Sequence, residues 1–345
     1  MPKLFVAIIL LVSFVPSFGQ TTAPATSDPA PVLSVGDAQK KLEHGQTQQA
    51  ISELQQLASA HPPVKGVNRE LAIAYYRTGK LAEAEQTFAA AMAEDPADIE
   101  SVQMRGLTLY RLGRPAAAIP FLERVRQWTP NANADANYVL GLCYMNSQRF
   151  DEARASFAAQ YGVDAASASA YLILGQMMFR ANLPELASQN AQKALDFSPK
   201  IPMAHFLSGE IFLSRSDVAH ALEQFELERA INPAYAPVYD RLGDVYTRME
   251  EFQQAQESLT KAISLDQSRT GPFILMGKVF LRRNDPESAV MYLQHAEKMD
   301  PSNSITHTLL AQAYKGMGRD EDAKREIEAA SRIHAASQLK LQSLQ

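Results

Sequence analysis

The sequence predicts an all-α protein in which about nine helical hairpins stack into an α-solenoid. Three observations support this prediction: a small residue recurs every 34 positions, an alanine follows each one twelve positions later, and turn-forming residues separate the apolar segments. The small residues are Ala38, Ala72, Gly106, Gly141, Gly175, Gly209, Gly243, Gly277 and Ala311. The alanines are Ala50, Ala84, Ala118, Ala153, Ala187, Ala221, Ala255, Ala289 and Ala323. Only the step from Gly106 to Gly141 is one residue longer, so the units stay in phase.

Each period contains two segments whose apolar residues recur at spacings of three and four, which indicates a pair of amphipathic helices. Residues that readily adopt a left-handed backbone lie between the two segments. They are Gly79, Gly113, Asn182, Asn284 and Gly318. A proline, which stops a helix, follows the second segment in most units. Two antiparallel helices approach closely only where their side chains are small, so the recurring glycines and alanines mark the helix contact inside each hairpin.

Large apolar residues recur at matching positions and are expected to form the core between stacked hairpins. Trp128, the only tryptophan, shares the register of Phe197 and Leu265 and is expected in this core. Cys143, the only cysteine, lies in the apolar run YVLGLCYM and is expected to be a buried free thiol. The charged stretches FLERVRQ, FELERA and REIEAA are expected to be exposed helix faces. Pro120, inside a predicted helix, should bend or loosen its start.

The second period, residues 65–98, shows the repeat pattern most clearly. It carries Leu71, Ala72, Tyr75, Gly79, Ala84, Phe88, Ala91 and Pro96 at the characteristic positions. In this pattern the chain resembles the tetratricopeptide repeat family over about residues 31–337. The resemblance implies a right-handed superhelix of repeats at about 31–64, 65–98, 99–132, 134–167, 168–201, 202–235, 236–269, 270–303 and 304–337. The last repeat continues without a proline, so we expect a long C-terminal helix that caps the array.

The first twenty residues, MPKLFVAIILLVSFVPSFGQ, have the features of a secretory signal peptide. One lysine precedes an apolar run that is shorter than the about 20 residues needed to span a bilayer. Ser17 and Gly19 are small residues with the spacing that signal peptidase requires. We therefore expect a signal peptide at 1–19, cleaved after Gly19, and a periplasmic or secreted protein; an uncleaved membrane anchor is the alternative. Residues 20–30 are expected to be a flexible Pro/Thr/Ala-rich leader to the solenoid at 31–345.

Composition and motifs argue against several functional classes. The formal net charge of −5 disfavours a nucleic-acid coat or a strongly basic membrane binder. The sequence contains no HExxH motif, no Gly-rich phosphate loop and no GxSxG motif. Its seven histidines form no pair at the ligand spacing of a helix. We therefore predict no catalytic residues, no metal site, no cofactor and no stable membrane span after signal cleavage.

The resemblance implies that the first helix of each repeat lines a concave groove that binds a protein or peptide. The candidate groove residues are Arg69, Ile73, Tyr76, Arg77, Tyr110, Arg111, Tyr138, Met145, Phe179, Arg180 and Phe206. This groove is apolar at first and becomes more polar from Asp240 and Asp244 onward, which suits an extended segment or an amphipathic helix. An arginine near the end of the first helix recurs in five repeats, at Arg77, Arg111, Arg180, Arg248 and Arg282. Such a row is suited either to binding carboxylates or phosphates or to solvating the helix ends.

The predicted function is therefore noncatalytic: a protein-binding or peptide-binding scaffold or adaptor in the cell envelope. The first alternative is a dedicated subunit of an envelope assembly, secretion or polysaccharide-export complex, by analogy with exported proteins of this family. A second alternative is a hydrolase or transferase that uses the arginine row. A third is a carbohydrate binder that uses Tyr76, Tyr110 and Tyr138. The partner and the oligomeric state stay open from the sequence alone.

Overall fold

A computed structural model of the chain describes residues 33–62, 64–129 and 134–342. These residues form eighteen α-helices and no strand, which confirms the all-α class and the nine hairpins. The helices are α1 Val35–Glu43, α2 Thr47–Ala58, α3 Val67–Arg77, α4 Leu81–Glu94, α5 Ile99–Arg111, α6 Pro115–Trp128, α7 Ala134–Asn146, α8 Phe150–Gln160, α9 Ala168–Arg180, α10 Pro184–Phe197, α11 Ala204–Ser214, α12 Val218–Ile231, α13 Ala236–Arg248, α14 Phe252–Leu265, α15 Thr270–Arg282, α16 Pro286–Met299, α17 Ser304–Gly316 and α18 Asp320–Gln342. The predicted signal peptide and leader lie outside the described residues.

The chain divides into two compact units, Met1–Glu94 and Asp95–Gln345. The first contains α1–α4 and the second α5–α18. Within each unit, every odd-numbered helix packs against the even-numbered helix that follows it, and that helix packs against the next odd-numbered one. The expected long C-terminal helix is α18, which spans 23 residues. No helix in the described parts of the chain combines the length and apolarity needed to cross a membrane.

The odd-numbered helices of the second unit form its inner face. Several of them contact the next odd-numbered helix: α5 contacts α7, α9 contacts α11, and α15 contacts both α13 and α17. Among the described helices, no even-numbered helix contacts the next even-numbered one to the extent that these odd-numbered helices contact each other. Helices on the inside of a curved stack lie closer together than those on the outside. The stack in this unit therefore curves toward its odd-numbered helices.

The turn inside each hairpin contains one residue with a left-handed backbone. The five predicted positions are confirmed, with φ between 58° and 77°. Gly45 and three residues that the sequence analysis did not single out, Gln148, Ser216 and Glu250, occupy the same turn in the remaining hairpins, with φ of 58–76°. The turn geometry is thus imposed by helix packing even where the local residue disfavours it.

Replacing Ser216 by glycine should raise the free energy of unfolding of the second unit by about 1 kcal/mol, since a left-handed backbone costs a non-glycine residue about that much. The measurement is urea denaturation followed by circular dichroism. Gly318→Ser, the reverse change at an equivalent turn with φ of 70°, is the matched variant and should destabilise by a similar amount. Two neutral outcomes would show that these turns carry no strain.

The recurring glycines allow the two helices of a hairpin to touch, as predicted. A Cβ atom at Gly243 would lie 2.5 Å from Leu259 Cγ, and one at Gly209 would lie 2.5 Å from Phe225 Cε1. Both neighbours are fully buried. Gly175 is the loosest of the six glycines at this register, because the nearest atom to its Cβ would be Leu207 Cδ2 at 3.1 Å. The small residues are therefore required for packing and carry no information about a ligand.

Three expectations about individual side chains meet different outcomes. Cys143 is a fully buried free thiol, as predicted, and burial raises its pKa to about 12. The placement of Trp128 in the core is wrong: the residue is 37% exposed at the end of α6, with the Arg124 guanidinium 4.3 Å from its ring centre. Pro120 does not interrupt α6, which is continuous from Pro115 to Trp128.

Candidate functional site

In the first unit, the candidate residues Arg69, Ile73, Tyr76 and Arg77 all lie on α3. The Arg69 guanidinium pairs with the Glu70 carboxylate at 3.1 Å. Ile73 is buried, Tyr76 is half-buried, and Arg77 is exposed at the end of the helix. The accessible part of this group is therefore polar or aromatic, while Ile73 contributes mainly to the interior.

In the second unit, the structure brings Tyr110 of α5 together with Tyr138 of α7. Burial raises the pKa of Tyr110, and the nearby Cys143 and Tyr138 side chains add to the increase. Both tyrosines, together with Phe179 of α9, pack on the hydrophobic core as half-buried residues. The Tyr138 ring lies 5.9 Å from that of Phe157, centre to centre. These rings thus have one face on the core and remain partly accessible.

Three other candidates in this unit differ in their exposure. Met145, on α7, is buried with 6% of its surface exposed, so it belongs to the core more than to the surface. Arg111 and Arg180 are exposed at the ends of α5 and α9. In the same arginine row, Arg248 pairs with Asp244 at 2.8 Å and Arg282 with Glu250 at 3.4 Å. Members of the row therefore have different environments.

Phe206 on α11 lies at the centre of an aromatic cluster. Its ring is 5.6 Å from Phe225 and 5.3 Å from Tyr235, with an edge-to-face arrangement toward Tyr235. Burial raises the pKa of Tyr235, and the charged groups of Arg269, Glu228, Glu210 and Arg241 also act on it. The aromatic cluster therefore borders a group of charged side chains.

That charged group joins α11, α13 and the start of α15. Arg241 Nη2 lies 3.3 Å from Glu210 Oε2, and Arg269 Nη2 lies 3.1 Å from Asp240 Oδ2. Asp240 is only 5% exposed, and Asp244 is buried beside Arg248. The predicted change from an apolar to a more polar inner face is therefore present at these helices. The carboxylates of Glu210, Asp240 and Asp244 each pair with a guanidinium group here.

Glu228 positions Phe206, and the expectation that the stretch FELERA is an exposed charged face is wrong for this residue. Glu228 is fully buried. Its carboxylate accepts hydrogen bonds from the backbone N–H of Met203, at 2.9 and 3.0 Å, and of Phe206, at 3.3 Å. Met203, just before α11, has a left-handed backbone with φ of 76°. The carboxylate thus takes the place of an N-cap for this helix.

A signal for Glu228 was present in the repeat register. Ala194 lies 34 residues before it and Ala262 lies 34 residues after it, and both are fully buried. A carboxylate at a position where neighbouring repeats have a small buried residue indicates a specific polar partner, since an unpaired buried charge is costly. The partner itself is backbone, which side-chain patterns do not reveal.

Comparisons with known proteins match this architecture. The tetratricopeptide repeat pattern matches residues 41–105, 109–172 and 280–345, and a further match covers residues 236–269. Anaphase-promoting complex subunit 3 of Schizosaccharomyces pombe is 19% identical over 269 residues, which are 78% of this chain and 40% of that protein. Protein CTR9 homolog of Arabidopsis thaliana is 21% identical over 268 residues, 74% of this chain and 24% of that protein. The chain spans less than half the length of these curated relatives.

Two solved structures are similar to this chain at low identity. The APC/C hetero-tetramer Cut9-Hcn1 has 14% identity and a TM-score of 0.46, covering 80% of this chain and 54% of that chain. YrrB, described as a tetratricopeptide repeat protein with an unusual peptide-binding site, has 18% identity and a TM-score of 0.44, covering 56% of this chain and 98% of that chain. Because the repeat pattern matches more than half of its residues, the chain belongs to the tetratricopeptide repeat family.

Proposed function

We propose that this protein is a noncatalytic scaffold or adaptor that binds a segment of a protein partner on the inner face of its second unit. Tetratricopeptide repeat proteins are typically protein-binding scaffolds or adaptors. The observation that supports the proposal is the set of half-buried aromatic rings on successive odd-numbered helices. They are Tyr110, Tyr138, Phe179 and Phe206. Rings that are held by the core and remain partly accessible can bury further apolar area at little entropic cost when a partner binds.

The chemistry of this face suits an amphipathic partner. Aromatic and apolar groups on α5, α7 and α9 provide contact area for apolar side chains. The Glu210–Arg241 and Asp240–Arg269 pairs on the following helices offer charges of both signs. Charged groups of this kind select register and orientation more than they add affinity. The partner segment that fits this face is a helix or an extended chain in which an apolar stretch is followed by charged residues.

Photo-crosslinking in living cells tests the proposed binding face. A photoreactive residue at Tyr110 or Phe179 should capture one or a few proteins that mass spectrometry identifies. The control position is Gln189, an exposed residue on the even-numbered helix α10. Capture at Gln189 with none at Tyr110 and Phe179 would overturn the assignment of the inner face. One stoichiometric partner would favour the alternative of a dedicated complex subunit, whereas several partners favour an adaptor.

We further propose that the protein is exported to the cell envelope, on the basis of the N-terminal segment. N-terminal sequencing of the protein from its native cells should find Gln20 as the first residue, since the signal peptide is expected to be cleaved after Gly19. A mature protein that still begins at Met1 would contradict export by cleavage and would favour an uncleaved anchor.

A further inference from the structure

Three ligand-type side chains meet where α16, α17 and α18 pack together. His307 of α17 is 94% buried, and its Nδ1 lies 2.6 Å from Glu326 Oε2 of α18 and 3.9 Å from Glu297 Oε1 of α16. One ligand atom from each of the three residues lies within 4.8 Å of the others. These residues are 19 and 10 positions from His307 along the chain, so only the hairpin packing brings them together.

The second ring nitrogen of His307 determines what Nδ1 can do. Nε2 lies 3.1 Å from the backbone carbonyl oxygen of Pro301. A carbonyl only accepts hydrogen bonds, so Nε2 carries a proton and donates it there. In the neutral ring, Nδ1 then has the free electron pair and faces the two carboxylates. A backbone carbonyl that orients a histidine in this way is a common outer partner of metal ligands.

The charge around His307 favours a cation. Two carboxylates face the ring, with Glu326 Oε2 at 2.6 Å and Glu297 Oε1 at 3.9 Å from Nδ1. One proton on the ring offsets only one of their two negative charges. A divalent cation at the same position would offset both.

The repeat supplies an internal comparison for this cluster. His205 of α11 lies 102 residues, three periods, before His307, and its Nδ1 lies 2.8 Å from Gln224 Oε1. Gln224 has the register of Glu326, and Leu195 has the register of Glu297. At this position of the repeat, His205 is therefore accommodated by a neutral hydrogen bond. The two carboxylates around His307 exceed what packing requires.

We propose that Glu297, His307 and Glu326 form a binding site for a zinc ion, with water completing the coordination. Imidazole and carboxylate ligands bind zinc at about 2.0–2.2 Å, which places tetrahedral ligand atoms roughly 3.4 Å apart. The present separations of 2.6 Å and 3.9 Å from Nδ1 lie on either side of that value. Small rotations of two glutamate side chains would therefore complete the site. The ion would link the last three helices and stabilise this end of the second unit.

Zinc titration of the purified full-length protein, stripped with a chelator and followed by calorimetry, tests the site. The wild-type protein should bind one zinc ion per chain. Glu326→Gln and Glu297→Leu reproduce the neutral surroundings of His205, so they should preserve the fold. Each substitution should lower the zinc affinity by more than about tenfold, because removing a metal ligand costs more than removing a residue that only hydrogen-bonds to a ligand. His205→Gln is the matched control and should leave the zinc affinity unchanged.

The melting temperature and anomalous scattering at the zinc edge provide independent readouts. Zinc should raise the melting temperature of wild type and should not raise that of the Glu297→Leu/Glu326→Gln double variant. The anomalous peak should lie between Glu297, His307 and Glu326. The proposal is overturned if wild type binds no zinc, if the double variant binds zinc as tightly as wild type, or if the peak lies elsewhere. In each of those cases the cluster is an ion-pair network only.

Discussion

Replacing Glu228 by alanine is expected to lower the free energy of unfolding of the second unit by about 2–4 kcal/mol. The carboxylate is fully buried and accepts the backbone N–H groups of Met203 and Phe206 at the start of α11. Alanine leaves these donors without their partner and leaves a cavity in the hairpin. Hydrogen bonds to a charged acceptor are stronger than those between neutral groups. The expected loss of unfolding free energy is therefore well above that of a substitution at an exposed residue.

Urea denaturation followed by circular dichroism measures this effect. Glu223→Ala is the matched control, because Glu223 lies on the same helix and is exposed. That control should change the free energy of unfolding by less than about 0.5 kcal/mol. Glu228→Gln keeps the shape and one acceptor oxygen, so it should fall between the two. Equal denaturation midpoints for Glu228→Ala and Glu223→Ala would contradict the capping role.

Replacing Gly243 by alanine is expected to destabilise the same unit by about 1–3 kcal/mol, since an added methyl group in a close-packed interior forces its neighbours to move. The new Cβ would lie 2.5 Å from Cγ of the fully buried Leu259. The branch point of leucine cannot withdraw without moving the rest of its side chain. The helices α13 and α14 must therefore separate or Leu259 must leave its rotamer.

Gly316→Ala is the matched control for this substitution. Gly316 is also helical, but its nearest neighbour across the packing contact would be Pro286 Cβ at 3.5 Å, an ordinary van der Waals distance. Alanine there should be neutral or stabilise by up to about 1 kcal/mol, the difference in helix propensity. The double variant Gly243→Ala/Leu259→Ala should lose less stability than the sum of its single variants, because the clash disappears with the leucine. Strict additivity would show that the close contact carries no strain.

Features that depend on local chain geometry and on repetition could be predicted from the sequence. Gly79 and Asn182 could be assigned to left-handed turns because few other residues adopt that backbone without cost. Gln148 and Ser216 could not, since their own preferences oppose the conformation that packing imposes. For the candidate groove residues, the resemblance to the repeat family selected the first helix of each hairpin. It did not distinguish Met145, which is buried, from the half-buried Tyr138 on the same helix.

The 34-residue period by itself determined that the chain forms stacked helical hairpins, because a unit of two amphipathic helices buries its apolar faces only against neighbouring units. Only the tertiary structure decided the roles of Trp128, Glu228 and His307. Trp128 lies where the end of α6 leaves the core, Glu228 meets a backbone 22–25 residues away, and His307 meets carboxylates on two other helices. The partners of Glu228 and His307 lie beyond the reach of three- and four-residue spacings, so packing alone determines which groups these two residues contact.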